Sequence, residues 1–180
     1  YDILNRKKYP KDEIPPKIDI PEETRYISDS HSYTNKYFKE NYGNMGLFNY
    51  PITFDASEKW FDDFLENRFM MFGDYEDAIV KDETTLNHSI LSPLMNVGLL
   101  SPKHVISKSL DFSENNNISI NSTEGFIRQI IGWREFIRGV YKAKGSYERT
   151  LNYWGFKRKI PRSFYTGETG IEPIDSSIKK

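Results

Sequence analysis

Three short stretches of this 180-residue chain contain residue types that could bind a ligand. The first, "HSILSP", puts His88, Ser89 and Ser92 at the expected start of a helix. Backbone N–H groups and small hydroxyl side chains at a helix N-terminus bind phosphate, because the helix dipole also favours negative charge there. A plain helix cap with nothing bound would use the same residues. The stretch alone therefore predicts either a phosphate site or a cap.

The second stretch, "WREF", lies in the middle of the most helix-like segment, residues 124–145. An indole and a guanidinium that face a cleft can stack on a flat ring or base, and arginine also binds phosphate. In the alternative, Trp133 anchors the core while Arg134 and Glu135 form ion pairs with helix neighbours. Gly132 leaves a gap where a neighbour or a flat ligand could approach the backbone.

The third stretch is basic and aromatic, and lies between residues 153 and 165. Its members are Tyr153, Trp154, Phe156, Lys157, Arg158, Lys159, Arg162 and Tyr165. The net charge is −1, but residues 121–165 hold ten basic and three acidic side chains, whereas residues 55–86 hold ten acidic and three basic ones. A basic face for a polyanion such as nucleic acid is one interpretation, and an ordinary solvated surface is the other.

The composition excludes several kinds of site. With no cysteine, the chain can form no disulfide, thiolate metal site or cysteine nucleophile, and His31, His88 and His104 lie too far apart for a typical zinc motif, so we expect no metal. No apolar run approaches the roughly 20 residues of a membrane span, and no signal peptide opens the chain. We expect a cytoplasmic protein with no membrane partner. The first residue is Tyr1 rather than Met, so we also expect a piece of a longer protein.

Helices must position these residues. Residues 1–20 are rich in proline and charge and predict an extended arm, and residues 21–180 predict a helical domain. We expect a first helix over 21–42. A second should start at a cap, Asp55 or Ser57, and end at the break "FGDY". A third, short helix should end before Gly98, and a fourth should start at the cap Ser101. The second helix carries a stripe of aromatic side chains that is typical of a buried core. Residues 111–121 predict turns.

The long helix carrying "WREF" is predicted to start at a capping box formed by Asn121 and Glu124. The face expected to be buried consists of Phe126, Ile130, Trp133, Ile137 and Val140. A shorter helix is expected over 146–153. No strand pattern of useful length occurs, so the predicted fold class is all-α, an irregular helical bundle preceded by the arm.

Several motifs in one order resemble the photolyase and cryptochrome family. "TLNHSILSPLMNVGLLSP" is similar to the family segment Thr-Ser-x-Leu-Ser-Pro, with His88 where threonine is frequent. "GFIRQIIGWREFIRGVY" is similar to the Trp-Arg-Glu-Phe helix that follows it. "YDILNRKK", "FGDYEDAI" and "FYTGETGI" extend the likeness almost end to end. The group resembled most is the deoxyribodipyrimidine photolyase-related group, the prokaryotic cryptochromes and (6-4) photolyases.

This resemblance implies the linker end and the first half of an FAD-binding helical domain. The residues that would contact FAD are Tyr75, His88, Ser89, Leu91, Ser92 and Gln129, with the pyrophosphate at the serine motif. The residues that would face DNA are Trp133, Arg134, Arg138, Lys157 and Arg158, and Trp133 would also lie next to the reacting lesion. Tyr165 occupies a position where the group usually has a tryptophan thought to pass electrons to the flavin.

Departures from the family pattern are equally specific. Pro173 stands where the group has its first cluster-binding cysteine, so we expect no conventional iron–sulfur cluster. The N-terminal α/β domain and the C-terminal helical half of the family are absent from the sequence. We therefore expect the chain alone to lack repair activity, and to self-associate if the missing half normally covers Phe126, Ile130 and Ile137.

Three functions follow from these patterns. The first is a fragment of a flavoprotein that repairs pyrimidine photoproducts in damaged DNA by light-driven electron transfer. The second is a cryptochrome-like protein that binds FAD and signals without repair. The third is a helical module that binds nucleic acid and no cofactor. Bound flavin would exclude the third, and repair of a damaged oligonucleotide would separate the first two.

Overall fold

In a computed structural model of the protein, residues 7–43 and 45–179 are described, and all their regular structure is helical. The helices are α1 (Arg25–Phe38), α2 (Phe54–Asn67), α3 (Phe72–Tyr75), α4 (Ser92–Asn96), α5 (Pro102–Asn116), α6 (Ile120–Thr150), α7 (Ser163–Thr166) and α8 (Glu172–Lys179), with a 3₁₀ turn at Phe69–Met71 between α2 and α3. These two ranges contain no strand, and the all-α prediction is confirmed.

The chain forms two compact units. The first comprises residues 7–21 and 49–145, and the second comprises residues 22–43, 45–48 and 146–179. Helix α6 begins in the first unit, and its backbone leaves helical geometry at Lys144 (φ −141°, ψ 16°), next to the boundary. The predicted division into an arm, residues 1–20, and a domain, residues 21–180, stays a prediction.

An aromatic cluster forms the core of the first unit. The side chains of Phe61, Phe64 and Phe69 are completely buried, which confirms that the stripe on α2 is core. Phe126 of α6 closes the cluster, with its ring centroid 4.9 Å from that of Phe64 and 5.5 Å from that of Phe72. Tilted and edge-to-face rings at such distances add to the stabilisation that burial provides. The start of α6 is therefore anchored in the core.

Helix α3 and the first turn of α6 approach each other closely at Gly73. A Cβ atom at Gly73 would lie 2.6 Å from the carbonyl carbon of Asn121 and 2.7 Å from the backbone nitrogen of Ser122. The N–H of Gly73 donates to Ser122 Oγ at 3.0 Å, and that hydroxyl donates to the Met70 carbonyl at 2.8 Å. Only glycine fits here, because two of the three nearest atoms belong to backbone that cannot move aside.

The first described residues of the predicted arm contact α3. The backbone N–H of Lys7 donates to the Asp74 carbonyl at 2.9 Å, and its ammonium lies 2.8 Å from Asp74 Oδ2. The hydrogen bond to Asp74 raises the pKa of Lys7. The ring centroid of Tyr9 lies 4.8 Å from that of Tyr75, and burial raises the pKa of Tyr9. Residues 7–20 contain no helix, as expected for an extended segment.

Several predicted helix starts are wrong by a few residues, because side-chain caps decide them. Thr24 caps α1 and Thr53 caps α2, each accepting from a backbone N–H three residues on, so α1 is shorter than 21–42 and neither Asp55 nor Ser57 is the cap. Ser101 caps α5 as predicted. At α6 the Ser119 hydroxyl accepts from the Ser122 N–H, while the Asn121 amide donates to Asp74. The expected capping box is therefore absent.

Other element boundaries also differ from expectation. "FGDY" is the short helix α3 rather than a break, because the buried side chains of Phe72 and Tyr75 hold it in the core. Residues 111–116 continue α5 instead of forming turns, since Phe112 packs against the core. The helix ends at Asn116, and the following residue, Asn117, caps it with a left-handed φ of 52°. The shorter helix expected over 146–153 is present after the break in helical geometry at Lys144, as the last part of α6, but it ends at Thr150.

Beyond Ile130, α6 presents apolar side chains to solvent. Trp133 is 62% exposed, Phe136 61%, Ile137 58% and Tyr141 64%. The prediction that Trp133 and Ile137 are buried is wrong, because Ile130 is the last α6 residue in the core cluster of the described chain. The helical periodicity identified the face correctly but could not show how far along the helix a partner element extends.

Two glycine substitutions should have opposite effects on stability. Gly73→Ala forces a methyl group against backbone and should lower the free energy of unfolding by roughly 1–3 kcal/mol. Gly139→Ala adds a methyl group in open space on α6 and should raise it by about 0.5–1 kcal/mol through helix propensity. Urea unfolding followed by circular dichroism measures both, and a neutral Gly73→Ala would contradict the close approach.

The exposed face of α6 should drive self-association. Light scattering of the isolated chain should give a mass above that of a monomer that rises with concentration, since a contiguous apolar patch is rarely left bare. Phe136→Lys should shift the mass toward the 21.2 kDa monomer. A monodisperse monomer at all concentrations would refute this expectation.

Candidate functional site

The first unit contains an open cavity of about 1040 Å³. Its walls come from three segments, which are the end of α3 with the residues after it, the loop before α4 with α4 itself, and one face of α6. The predicted site residues among its lining are His88, Ser89, Ser92, Gln129, Trp133, Arg134 and Arg138. Small-molecule sites are concave, often about 300–1,000 Å³, and combine apolar walls with a few polar groups. This cavity has that size and character.

The loop wall is held in an unusual backbone conformation. Leu86 and Ile90 have positive φ angles of 46° and 53°, on either side of His88 and Ser89. A β-branched residue rarely adopts such an angle, and it costs about 1–3 kcal/mol. Packing offsets this cost, because Leu86 and Leu91 are buried and the Trp60 indole N–H donates to the Ser89 carbonyl at 3.2 Å. The backbone of the loop is therefore held in one conformation, which fixes the positions of its polar side chains.

The phosphate argument made for this loop is modified by the structure. Helix α4 is only five residues long, and Pro93 in its first turn has no N–H to donate. A short helix contributes a small dipole, so the hydroxyl groups of Ser89 and Ser92 and the nearby basic side chains would carry most of the attraction for an anion. His88 lies against the core, with its ring centroid 5.9 Å from that of Phe72 and the planes perpendicular.

The helix wall combines an indole with cations. Trp133 is not the core anchor of the alternative interpretation, because most of its surface is exposed, and its ring meets that of Phe136 edge to face at 6.3 Å. Arg138 Nε lies 3.0 Å from Glu135 Oε2, on the same helix. Arg134 has no hydrogen bond or ion pair within residues 7–43 and 45–179, so its charge is available to a ligand. A Cβ atom at Gly132 would meet only Arg128 Cγ, at an ordinary contact distance of 3.7 Å.

Two of the predicted cofactor residues do not line the cavity. Tyr75 is buried beside Tyr9, and Leu91 is 1% exposed within the core cluster. Both residues support the segments that reach the cavity, since Tyr75 ends α3 and Leu91 precedes Ser92. Their direct contact with a cofactor stays a prediction.

The remaining predicted residues belong to the second unit. Tyr165 lies on α7 and stacks on Tyr42, with ring centroids 4.9 Å apart and planes inclined by 26°. Lys157 and Arg158 are exposed on the segment between α6 and α7. Pro173 is in the first turn of α8. The described residues include no group of three or more histidine, aspartate or glutamate side chains that could hold a metal ion.

The sequence interpretation missed some cavity residues. Glu76 lines the cavity, and its Oε2 atom is buried with no hydrogen-bond partner among the described residues. Ile137 and Tyr141 extend the helix wall below Trp133. The spacing of three to four residues between Trp133, Ile137 and Tyr141 was a usable signal, because it places them on one helix face. Glu76 belongs to the motif "FGDYEDAI", but the sequence analysis gave it no role, because its place in the cavity depends on how α3 packs.

No described helix is long and apolar enough to cross a bilayer.

Removal of the Trp60 hydrogen bond should loosen the cavity loop. Trp60→Phe keeps an aromatic ring but leaves the Ser89 carbonyl without its donor, so the free energy of unfolding should fall by about 1 kcal/mol, or more if the smaller ring leaves a gap. Trp133→Phe is the matched control, since an exposed ring without such a bond should change stability by less than about 0.5 kcal/mol. Equal effects in urea unfolding would contradict the anchoring role of Trp60.

No protein-family model matches the chain. It is similar to a (6-4) photolyase from Agrobacterium fabrum, with 31% identity over 169 residues, which is 94% of this chain and 33% of that protein. It is also similar to the uncharacterized protein R853 of Acanthamoeba polyphaga mimivirus, with 42% identity over 105 residues, 58% of this chain and 80% of that protein. The chain therefore belongs to one family with R853, and it spans about a third of the length of the (6-4) photolyase.

Proposed function

We propose that this chain is the linker end and first half of a flavin-binding helical domain. Its similarity to a (6-4) photolyase supports an assignment to the photolyase family. The parent protein would bind FAD and repair a pyrimidine photoproduct in DNA. The observation that carries the proposal is the convergence of the "HSILSP" loop and the "WREF" face on one cavity of about 1040 Å³. When bound, FAD supplies light-driven electron transfer to the damaged base.

The loop wall would hold the pyrophosphate. Ser89 and Ser92 bring hydroxyl donors to the cavity, and the imidazole of His88 adds a further polar group. Because the loop is already fixed by Trp60 and by buried leucines, little conformational entropy would be lost on binding. Tyr75 and Leu91 would act from behind this wall by holding α3 and the loop in place.

The helix wall would face the flavin ring and the damaged base. Trp133 offers an exposed indole for stacking, and Gln129 offers an amide for hydrogen bonds to ring heteroatoms. Arg134 would contribute its unpaired charge to a phosphate of the cofactor or of DNA. Arg138 would contact DNA while Glu135 holds its side chain in place. These residues would position the reactants and exclude water.

The second unit would add contacts outside the cavity. Lys157 and Arg158 would meet phosphates of the DNA, and Tyr165 would pass an electron toward the flavin. A stacked tyrosine neighbour suits this role, because it keeps the ring in an aromatic environment. The proposal includes no iron–sulfur cluster, since such clusters need thiolate ligands and Pro173 stands at the expected cysteine.

FAD titration into the chain tests the proposal. Binding should quench flavin fluorescence and induce circular dichroism in the flavin absorption bands. Arg134→Ala should weaken binding by about tenfold or more, since a hydrogen bond to a charged group contributes roughly 1.5–3 kcal/mol. Arg128→Ala is the matched control, because Arg128 lies on the same helix outside the cavity lining and pairs with Glu124. The affinity of this variant for FAD should differ from that of the unchanged chain by less than about twofold.

Unchanged flavin fluorescence at high protein concentration would contradict flavin binding and favour the cofactor-free nucleic-acid module. Equal losses in Arg134→Ala and Arg128→Ala would mean that the cavity is not where FAD binds. If FAD binds as expected, repair of an oligonucleotide carrying a pyrimidine photoproduct by the intact parent distinguishes a repair enzyme from a light-signalling protein.

A further inference from the structure

The segment between α6 and α7, in the second unit, carries a small closed turn. The N–H of Gly155 donates to the Asn152 carbonyl at 3.0 Å, and the Asn152 side-chain amide donates to the Phe156 carbonyl at 2.6 Å. Gly155 has a φ of 65°, in the left-handed region that favours glycine. The backbone of this segment is thus held by its own hydrogen bonds.

The turn displays large aromatic side chains. Tyr153 is 74% exposed, Trp154 74% and Phe156 71%. The rings of Tyr153 and Trp154 meet nearly perpendicularly, with centroids 5.0 Å apart and an interplanar angle of 86°. In an edge-to-face pair neither ring covers more than one face of the other, so each keeps at least one face for a flat partner. Exposed rings of this size commonly mark a binding surface.

The same segment concentrates positive charge. Lys157, Arg158, Lys159 and Arg162 follow the turn, and the sequence contains no acidic residue from Arg149 to Gly167. None of these four side chains forms an ion pair with any residue in the described ranges. Uncompensated cations beside stacking platforms are the pattern by which proteins bind unpaired nucleic acid strands.

We propose that residues 153–162, here called the basic turn, bind unpaired single-stranded DNA. Tyr153 and Trp154 stack on bases, and Lys157, Arg158 and Lys159 contact phosphates. Duplex DNA keeps its base faces within its own stack, so only an unpaired strand can use both the rings and the charges. The proposal rests on the proposed function in taking DNA as the polyanion, and it adds the strand type and a stacking site outside the cavity.

Fluorescence anisotropy with labelled oligo-dT and a blunt duplex of equal length tests the stacking. Trp154→Ala should lower the affinity of the full chain for oligo-dT by about tenfold, and that for the duplex by less than about twofold. Trp154→Phe should retain most of the affinity because it keeps a ring. Tyr26→Ala is the matched control, since Tyr26 is 72% exposed on α1 of the same unit and should not matter.

The charges make a separate contribution. A Lys157→Ala, Lys159→Ala double variant should reduce the slope of log affinity against log salt by about 1.4 for oligo-dT, because each lysine–phosphate contact contributes about 0.7 on a single strand. Lys17→Ala, which removes an exposed cation from the first unit, should leave the slope unchanged.

An equal loss of oligo-dT and duplex binding in Trp154→Ala, or no loss of either, would overturn the proposal. So would a Trp154→Ala variant that dissociates an oligomer by light scattering with unchanged DNA binding, because the rings would then serve a protein interface. FAD titration on the same preparations separates the two proposals. If the chain binds FAD but Trp154→Ala does not selectively weaken oligo-dT binding, only the proposal for the basic turn is refuted. If Trp154→Ala has the expected effect but the chain does not bind FAD, only the proposal for the flavin site is refuted.

Discussion

The close approach of Gly73 to the first turn of α6 is the constraint on which the first unit depends. With backbone atoms of residues 121 and 122 less than 3 Å from where a Cβ would lie, the two helices can meet only at a glycine. The Ser122 hydroxyl bridges the contact by accepting from the Gly73 N–H and donating to the Met70 carbonyl. Hydrogen bonds buried in this way fix a helix more firmly than apolar contacts alone, because an alternative packing would leave polar groups unpaired.

That crossing sets the direction of α6 and therefore builds the cavity. Phe126 enters the aromatic core just beyond the contact, and Ile130 is the last core residue of the helix. From there α6 continues past the core, so Trp133 and Arg134 line the cavity instead of being buried in the core. The opposite wall is equally constrained, since Ile90 holds an unfavourable φ while Leu91 and the Trp60 hydrogen bond fix the loop. Packing energy in the core thus maintains a strained and open site.

Apolar exposure has different physical causes in the two units. On α6 the exposed rings continue a face whose first half is buried, so they are the unpaired half of an amphipathic helix. In the basic turn the rings belong to no helical face, because local hydrogen bonds around Gly155 hold the backbone. On α6 Arg138 is paired with Glu135 and Arg134 has no ion-pair partner among the described residues, whereas none of the cations of the basic turn has an acidic sequence neighbour. The first surface therefore suits a partner with a flat or apolar part and a few charges, and the second suits a polyanion.

The sequence by itself determined the all-α class, the aromatic core of α2 and the caps that resemble local motifs, such as Ser101. Each of these depends on interactions within a few residues, which a periodic pattern can encode. It also drew attention to the motif residues that line the cavity, but it gave Glu76 no role there. It placed Trp133 and Ile137 in a core that, on α6, ends at Ile130. Only the tertiary structure decided these points. Helical periodicity says which residues share a face, whereas burial depends on which distant element covers that face, and that is set by long-range contacts such as Gly73 with Ser122.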